Sequence, residues 1–254
     1  MTTKPNSSRR PARITVASLA CAGVLMLLPG CRDALSQRPS TGAVKPAADV
    51  PASNTKATRV EKLKPADIYG RATKANAEAS SLRERMIRKE SAYDLRISAT
   101  ECAGTVDMRG EGSYRIVKKG DDVWALPDEN FLRVFAANGI ETAEGTWLHG
   151  PADNRFMADL ASFCNSKQFT YPETATTPMT KGKITKINGQ EAIPVTGSVD
   201  TRSRTYFIAT TGAPHLLAMK SRGNVAVGDI TYSDFGTPVN ATKPRGVIVE
   251  APAY

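Results

Sequence analysis

Ser91-Ala92-Tyr93-Asp94-Leu95-Arg96-Ile97-Ser98 is the stretch that decides the fold. Tyr93, Leu95 and Ile97 alternate with Asp94, Arg96 and Ser98, the two-residue period of a strand with one buried face and one wet face. On either side, residues 82–88 and 102–109 read as further strands. Residues 114–118 and 123–126 follow, joined by the hairpin signal Lys119-Gly120-Asp121. Two helices then interrupt the strands. Asp128 caps a helix predicted over 129–138, with Phe131, Val134 and Phe135 on one face and Asn138-Gly139 as its stop. Over 154–164, Phe156, Met157, Leu160, Phe163 and Cys164 recur at helical spacing. Thr146-Trp147-Leu148, between the helices, predicts one more short strand.

The C-terminal third reads as a meander over 183–187, 191–197, 205–211, 214–222 and 224–233. Its first turn is Asn188-Gly189, the strongest short hairpin signal. Upstream of the sheet, Pro65 suits the first turn of a helix over about 65–80 with Ile68, Ala72, Ala75 and Ala79 on one face. This order predicts one α+β domain over 65–254, a curved antiparallel sheet with helices packed across one face.

Before the domain the grammar changes. Arg9, Arg10 and Arg13 precede the apolar residues 14–28, and Leu28-Pro29-Gly30-Cys31 follows, the n-, h- and c-regions of a secretory signal. The apolar run is too short for a comfortable membrane span. Leu28, Gly30 and Cys31 resemble the lipobox of bacterial lipoproteins, with Pro29 an unusual occupant of its position. The resemblance implies that residues 1–30 are a signal peptide, and that Cys31 becomes the first residue and carries a diacylglyceryl group. It also implies further acylation, palmitate being one such chain. Arg9-Arg10 lacks the apolar residues that usually follow a twin-arginine signal, so either export route fits. Residues 32–64 are rich in Pro, Ala, Ser and Thr and cannot bury enough surface to fold. They read as a flexible tether with a root-mean-square reach of about 30 Å.

Charge excludes one class of partner. The chain carries a net +9, but residues 1–30 contribute +4 and 32–64 another +4, leaving +1 for 65–254. A nucleic-acid binder clusters its positive charge on the folded surface, so no nucleic acid is expected. The basic tether is suited to anionic lipid headgroups. Of four cysteines, Cys21 leaves with the signal and Cys31 is the lipid site, so Cys102 and Cys164 are expected to pair in an oxidising compartment. Closing that loop stabilises by about 4 kcal/mol in the chain-entropy account.

The runs 205–217 (TYFIATTGAPHLL) and 230–239 (ITYSDFGTPV) carry a second resemblance. They resemble the closing hairpins of LolA-like lipoproteins of the actinobacterial cell envelope, relatives of the LppX/LprG carriers. The shared features are an apolar strand ending in a Thr-Gly turn, a strand opening near a Pro-Leu pair, and a Ser-Asp-aromatic-Gly motif before a final Pro-Val. Residues 182–195 and 120–124 also fit the family order. His215-Leu216 stands between Pro214 and Leu217, where Pro-Tyr-Pro-Leu is commoner. The resemblance implies a half-open barrel, its concave face covered by helices, that holds an apolar cavity for a lipid or glycolipid and needs no catalytic residue.

No metal, nucleotide or nucleophile motif appears. His149 and His215 lack ligand spacing and read as polar edge residues. Asp121-Asp122 reads as a turn, and Asp128-Glu129 as a helix N-terminus. No cofactor is expected beyond the covalent diacylglycerol and acyl lipid on Cys31. Trp124, Phe131, Phe135, Phe156 and Leu160 are candidates to line an acyl cavity, faced by Leu95 and Ile116. The same stripes suit a filled core. Two functions therefore compete: a membrane-anchored, extracytoplasmic binder of an amphiphile, and an envelope interaction module with a protein or cell-wall partner.

Overall fold

The computed structural model describes residues 59–165, 178–199, 202–222 and 228–253. Cys31, the signal and most of the expected tether lie outside them. The chain enters through a 3-10 turn, Val60–Lys62, and helix α1, Pro65–Glu78. Five strands follow: β1 (Ser81–Ile87), β2 (Ser91–Ser98), β3 (Glu101–Met108), β4 (Gly112–Lys119) and β5 (Asp122–Pro127). Helix α2 (Glu129–Ala137), strand β6 (Trp147–Pro151), helix α3 (Arg155–Leu160) and a 3-10 turn over Ala161–Cys164 come next. The meander comprises β7 (Thr180–Lys181), β8 (Thr185–Ile187), β9 (Gln190–Val199), β10 (Arg202–Ala209), β11 (Leu216–Arg222) and β12 (Asp229–Ser233), and the short β13 (Ile248–Glu250) ends it.

All these strands belong to one open sheet in the order β13-β6-β5-β4-β3-β2-β1-β12-β11-β10-β9-β7, with β8 also on β9. The alternation that opens the sequence survives intact: Tyr93, Leu95 and Ile97 are buried, and Asp94, Arg96 and Ser98 face the other way. That other face is wet. Arg83 donates two 2.6 Å bonds to the Asp94 carboxylate, and Arg85 stands 3.2 Å from it. Its bond to Arg83 holds the Asp94 carboxyl below the usual carboxylate range.

Both hairpin signals form two-residue turns. Lys119 pairs with Asp122 around Gly120, and Ile187 pairs with Gln190 around Asn188-Gly189, whose φ values are 49° and 83°. Positive φ at both central residues matches the right-handed twist of the flanking strands. Asp128 caps α2 as expected, accepting from the Phe131 N–H and from the N–H and hydroxyl of Ser113, each at 2.8 Å. Burial pushes its pKa up, but these bonds outweigh it and hold the carboxyl below its ordinary value.

Four expectations need correcting. The tether does not run to residue 64: Val60 is fully buried, so folded structure begins by Arg59. One apolar residue in a polar run has no periodicity to betray it. The 154–164 helix is α-helical only to Leu160 and tightens into a 3-10 turn. The predicted 183–187 strand forms only as β8, and a separate short piece, β7, precedes it on the same edge of β9. Finally the sheet is not wholly antiparallel. β13 lies parallel to β6, with Ile248 beside Trp147; Val247-Ile248-Val249 is too short an apolar run, without alternation, to read as a strand.

Candidate functional site

The helices all lie on the face of the sheet that carries the main apolar core, but their main contacts fall on its flanks. Helix α1 packs on β9–β11, α2 on β4 and β5, and α3 on β5 and β6. Between the flanks runs a strip formed by β12, β1 and β2, whose polar group spreads onto the neighbouring α1 and β10.

The strip is polar where a core is ordinarily apolar. Leu82, Glu84 and Met86 of β1 face the helix side, and Glu84 is only 1% exposed. The Tyr93 hydroxyl donates to Glu84 Oε1. Across the ladder Glu84 stands opposite Leu95 on one side and Tyr232 on the other. Burial first, and then the Glu84 charge, push the Tyr232 hydroxyl well above its ordinary pKa. Tyr69 of α1 and Tyr206 of β10 complete the group, with ring centroids 4.4 Å apart and hydroxyls hydrogen-bonded to each other. Burial raises both of their pKa values as well, while the Arg204 charge, close to both, pulls the other way. Arg204 is itself 5% exposed. The strip therefore gathers phenols beside the buried side chains of Glu84 and Arg204, and burial keeps the hydroxyls of Tyr69, Tyr206 and Tyr232 protonated.

None of these polar residues was singled out as a site from sequence. Glu84 was detectable in principle, because Leu82 and Met86 set the inward phase and Glu84 shares it. The predicted strand opens only at residue 205, whereas β10 begins at Arg202 and so includes Arg204.

The α2–α3 flank is apolar and interlocked. Phe131 packs on Phe135 at 4.9 Å, Phe135 on Phe156 at 5.1 Å, and Tyr114 on Phe131 at 5.1 Å. The Tyr114 hydroxyl donates to the Leu160 carbonyl at 2.8 Å. Leu95, Gly104, Ile116, Ala125 and Leu148 form one cross-strand row beneath. Six of the seven candidate lining residues thus meet in one core: Leu95, Ile116, Phe131, Phe135, Leu160 and, at its edge, Phe156. A disulfide joins Cys102 of β3 to Cys164, with Cα atoms 5.7 Å apart, and ties the end of the 3-10 turn to the same floor.

Trp124 is the exception and corrects the expectation. Val123 and Ala125 take the helix-side positions of β5, so Trp124 points to the opposite face. There it stacks on His149 at 5.2 Å. His149 bridges Asp122 at 2.9 Å and Glu250 at 3.0 Å, one carboxylate on each ring nitrogen. The Glu250 bond is the chief reason its pKa is raised. Since each carboxylate takes a separate nitrogen, the three side chains do not converge on one point. No group of described residues could hold a metal ion.

His215 is no simple edge residue either. It stacks flat on Phe235 at 3.9 Å, and Nδ1 lies 3.3 Å from Asn76 Oδ1. Burial lowers its pKa. Asn76 also clamps α1 to β11, accepting from the Leu216 N–H at 3.0 Å and donating to the Leu216 carbonyl at 3.3 Å. The adjoining surface groove, about 570 Å³, is lined by Arg71, Lys74, Glu78, Pro214, His215 and Phe235.

No described helix is long and apolar enough to cross a membrane. No protein-family model matches the chain, and no curated protein matches it. Solved structures do. The crystal structure of LprF from Mycobacterium bovis is similar at 14% identity and a TM-score of 0.52, covering 72% of this chain and 97% of that one. The Mycobacterium tuberculosis lipoprotein LppX is similar at 16% identity and a TM-score of 0.47, covering 70% of this chain and 98% of that one. The resemblance to LolA-like lipoproteins read from the closing hairpins therefore holds for the fold: a large, mostly antiparallel, open sheet with helices on one face.

Proposed function

We propose that this protein is a lipid-anchored, extracytoplasmic lipoprotein that binds an amphiphilic lipid on the helix side of its sheet. One observation carries the reading: the inner face is itself amphiphilic. A strip holding Glu84, Arg204 and four tyrosines lies beside a flank of Phe131, Phe135, Phe156 and Leu160. A ligand with a hydroxylated or charged head and apolar chains would meet the strip with the one and the flank with the other. The likeness to LprF supports the fold on which this arrangement is built.

Cys31, with two or more acyl chains, would hold the protein to the membrane, since one chain alone gives marginal binding. The chain acts by binding and release, with no catalytic step assigned. The test is gentle extraction of the acylated protein followed by native mass spectrometry. A lipid adduct is expected, reduced in Glu84→Leu/Tyr93→Phe. An adduct-free spectrum in several mild detergents would remove the reading. Cys31→Ala should leave the membrane fraction or accumulate as precursor; a processed variant still in that fraction would refute the anchor.

The ring contacts of the α2–α3 flank favour a second reading, an envelope interaction module with a filled core. Under it no lipid copurifies, and the strip serves packing specificity alone.

A further inference from the structure

We propose that the β7–β8 edge of the sheet, together with the turn that leads into α1, docks on anionic lipid headgroups and sets the orientation of the domain on its membrane. The observation is a juxtaposition. Residues 180–187 (TKGKITKI) run along the free edge of β9, with Thr180 opposite Thr196 and Lys186 opposite Glu191. Lys181 Nζ donates to the carbonyls of Glu61 and Leu63, at 2.7 Å and 2.9 Å. This bond brings the edge against the point at which the described chain begins. Arg59, Lys62, Lys64, Lys181, Lys183 and Lys186 are all exposed, against the acidic Glu61, Asp67 and Glu191. None of the six forms an ion pair among the described residues. Ile184 stands in their midst with 50% of its surface exposed.

Each feature fits a bilayer surface. Lysines beside an anionic leaflet are attracted additively, and the attraction fades within a Debye length. An exposed Ile can enter the headgroup boundary between them. The chain position fits as well: Arg59 lies 28 residues after Cys31, and a coil of that length would have a root-mean-square span of about 30 Å. Lysines on an edge strand also prevent unwanted strand pairing; that role requires no lipid, and the test separates the two.

The inference rests on the reading of Cys31 as an anchor, so the test removes the anchor. The chain from residue 31 onward, carrying Cys31→Ser, is sedimented with vesicles of phosphatidylcholine alone or with added phosphatidylglycerol. Binding is expected only with phosphatidylglycerol and should disappear at high salt. Lys183→Glu/Lys186→Glu should weaken it about tenfold or more. Arg109→Glu/Arg155→Glu, the same charge change off this edge, should weaken it no more than about twofold. Melting temperatures of both variants should match the parent, since all four side chains are exposed. Equal weakening by the two variants would mean that net charge alone binds. Full binding by the edge variant would assign the attraction to the 31–58 segment. Either result overturns the proposal. Failure of the anchor reading would appear elsewhere, in fractionation of Cys31→Ala.

Discussion

The two parts of the helix-side face solve different problems with the same sheet. The α2–α3 flank is held by ring packing, from Phe156 through Phe135 and Phe131 to Tyr114. The central strip is held by hydroxyl hydrogen bonds, from Tyr93 to Glu84 and between Tyr69 and Tyr206. Dispersion contacts are non-directional and accept any apolar neighbour. Buried hydrogen bonds are directional, and they penalise whatever leaves them unpaired. The flank therefore supplies stability, and under the proposed function the strip would supply selectivity.

The sharpest way to break the contrast is to damage the strand between the two. Gly104 of β3 has φ +157°, and a Cβ there would lie 2.0 Å from the Asp94 carbonyl oxygen. Gly104→Val should cost more than about 4 kcal/mol and leave neither region folded, as read by circular dichroism. Next comes the flank alone. Phe135 touches both Phe131 and Phe156, so Phe135→Ala should lower stability by about 3–5 kcal/mol in urea unfolding. Leu160→Trp tests whether that flank holds spare room. Leu160 is 7% exposed and its carbonyl is bonded to Tyr114; under the proposed function the added ring should take room used by an acyl chain, leaving the melting temperature nearly unchanged while copurified lipid falls. A loss of about 1–3 kcal/mol by overpacking, with no lipid on the parent, would favour the filled core instead.

The strip should behave otherwise. Glu84→Leu/Tyr93→Phe removes donor and acceptor together, so stability should stay within about 1 kcal/mol of the parent while copurified lipid falls. A large loss of stability would mean that the strip is structural after all. The smallest effect lies on the far face. His149 has a raised pKa because Glu250, and then Asp122, bind its ring. A raised folded-state pKa gives stability that is complete below the ordinary value of about 6.5 and is lost as pH rises through the folded value. Amide exchange at Val249 and Ala251 should therefore quicken as pH rises above about 6.5, beyond the intrinsic increase, and His149→Gln should remove the excess.

Much of this was legible in the residues, for physical reasons that differ by element. Strand alternation in 91–98, the Asn188-Gly189 and Gly120-Asp121 turns and the Asp128 cap are local effects, governed by backbone conformation within a few residues. They came through intact. The Cys102–Cys164 pair followed from compartment and count. Trp124 failed because its side of the strand is set by phase, and Val123 and Ala125 left that phase ambiguous. β13 failed because a three-residue strand exists only by pairing with β6.

The sequence by itself determined a mostly antiparallel sheet, its turns and caps, a basic N-terminal quarter and the likeness to LolA-like lipoproteins. Each depends on neighbours along the chain. Only the tertiary structure decided which buried positions are polar. Glu84, Tyr206 and Tyr232 come from three strands, and Tyr69 comes from a helix. They meet because β12 inserts β1 between itself and β2, joining the first and last hairpins of the sheet. No periodicity along the chain encodes that pairing, since it depends on which two strand edges remain free once the local hairpins have closed.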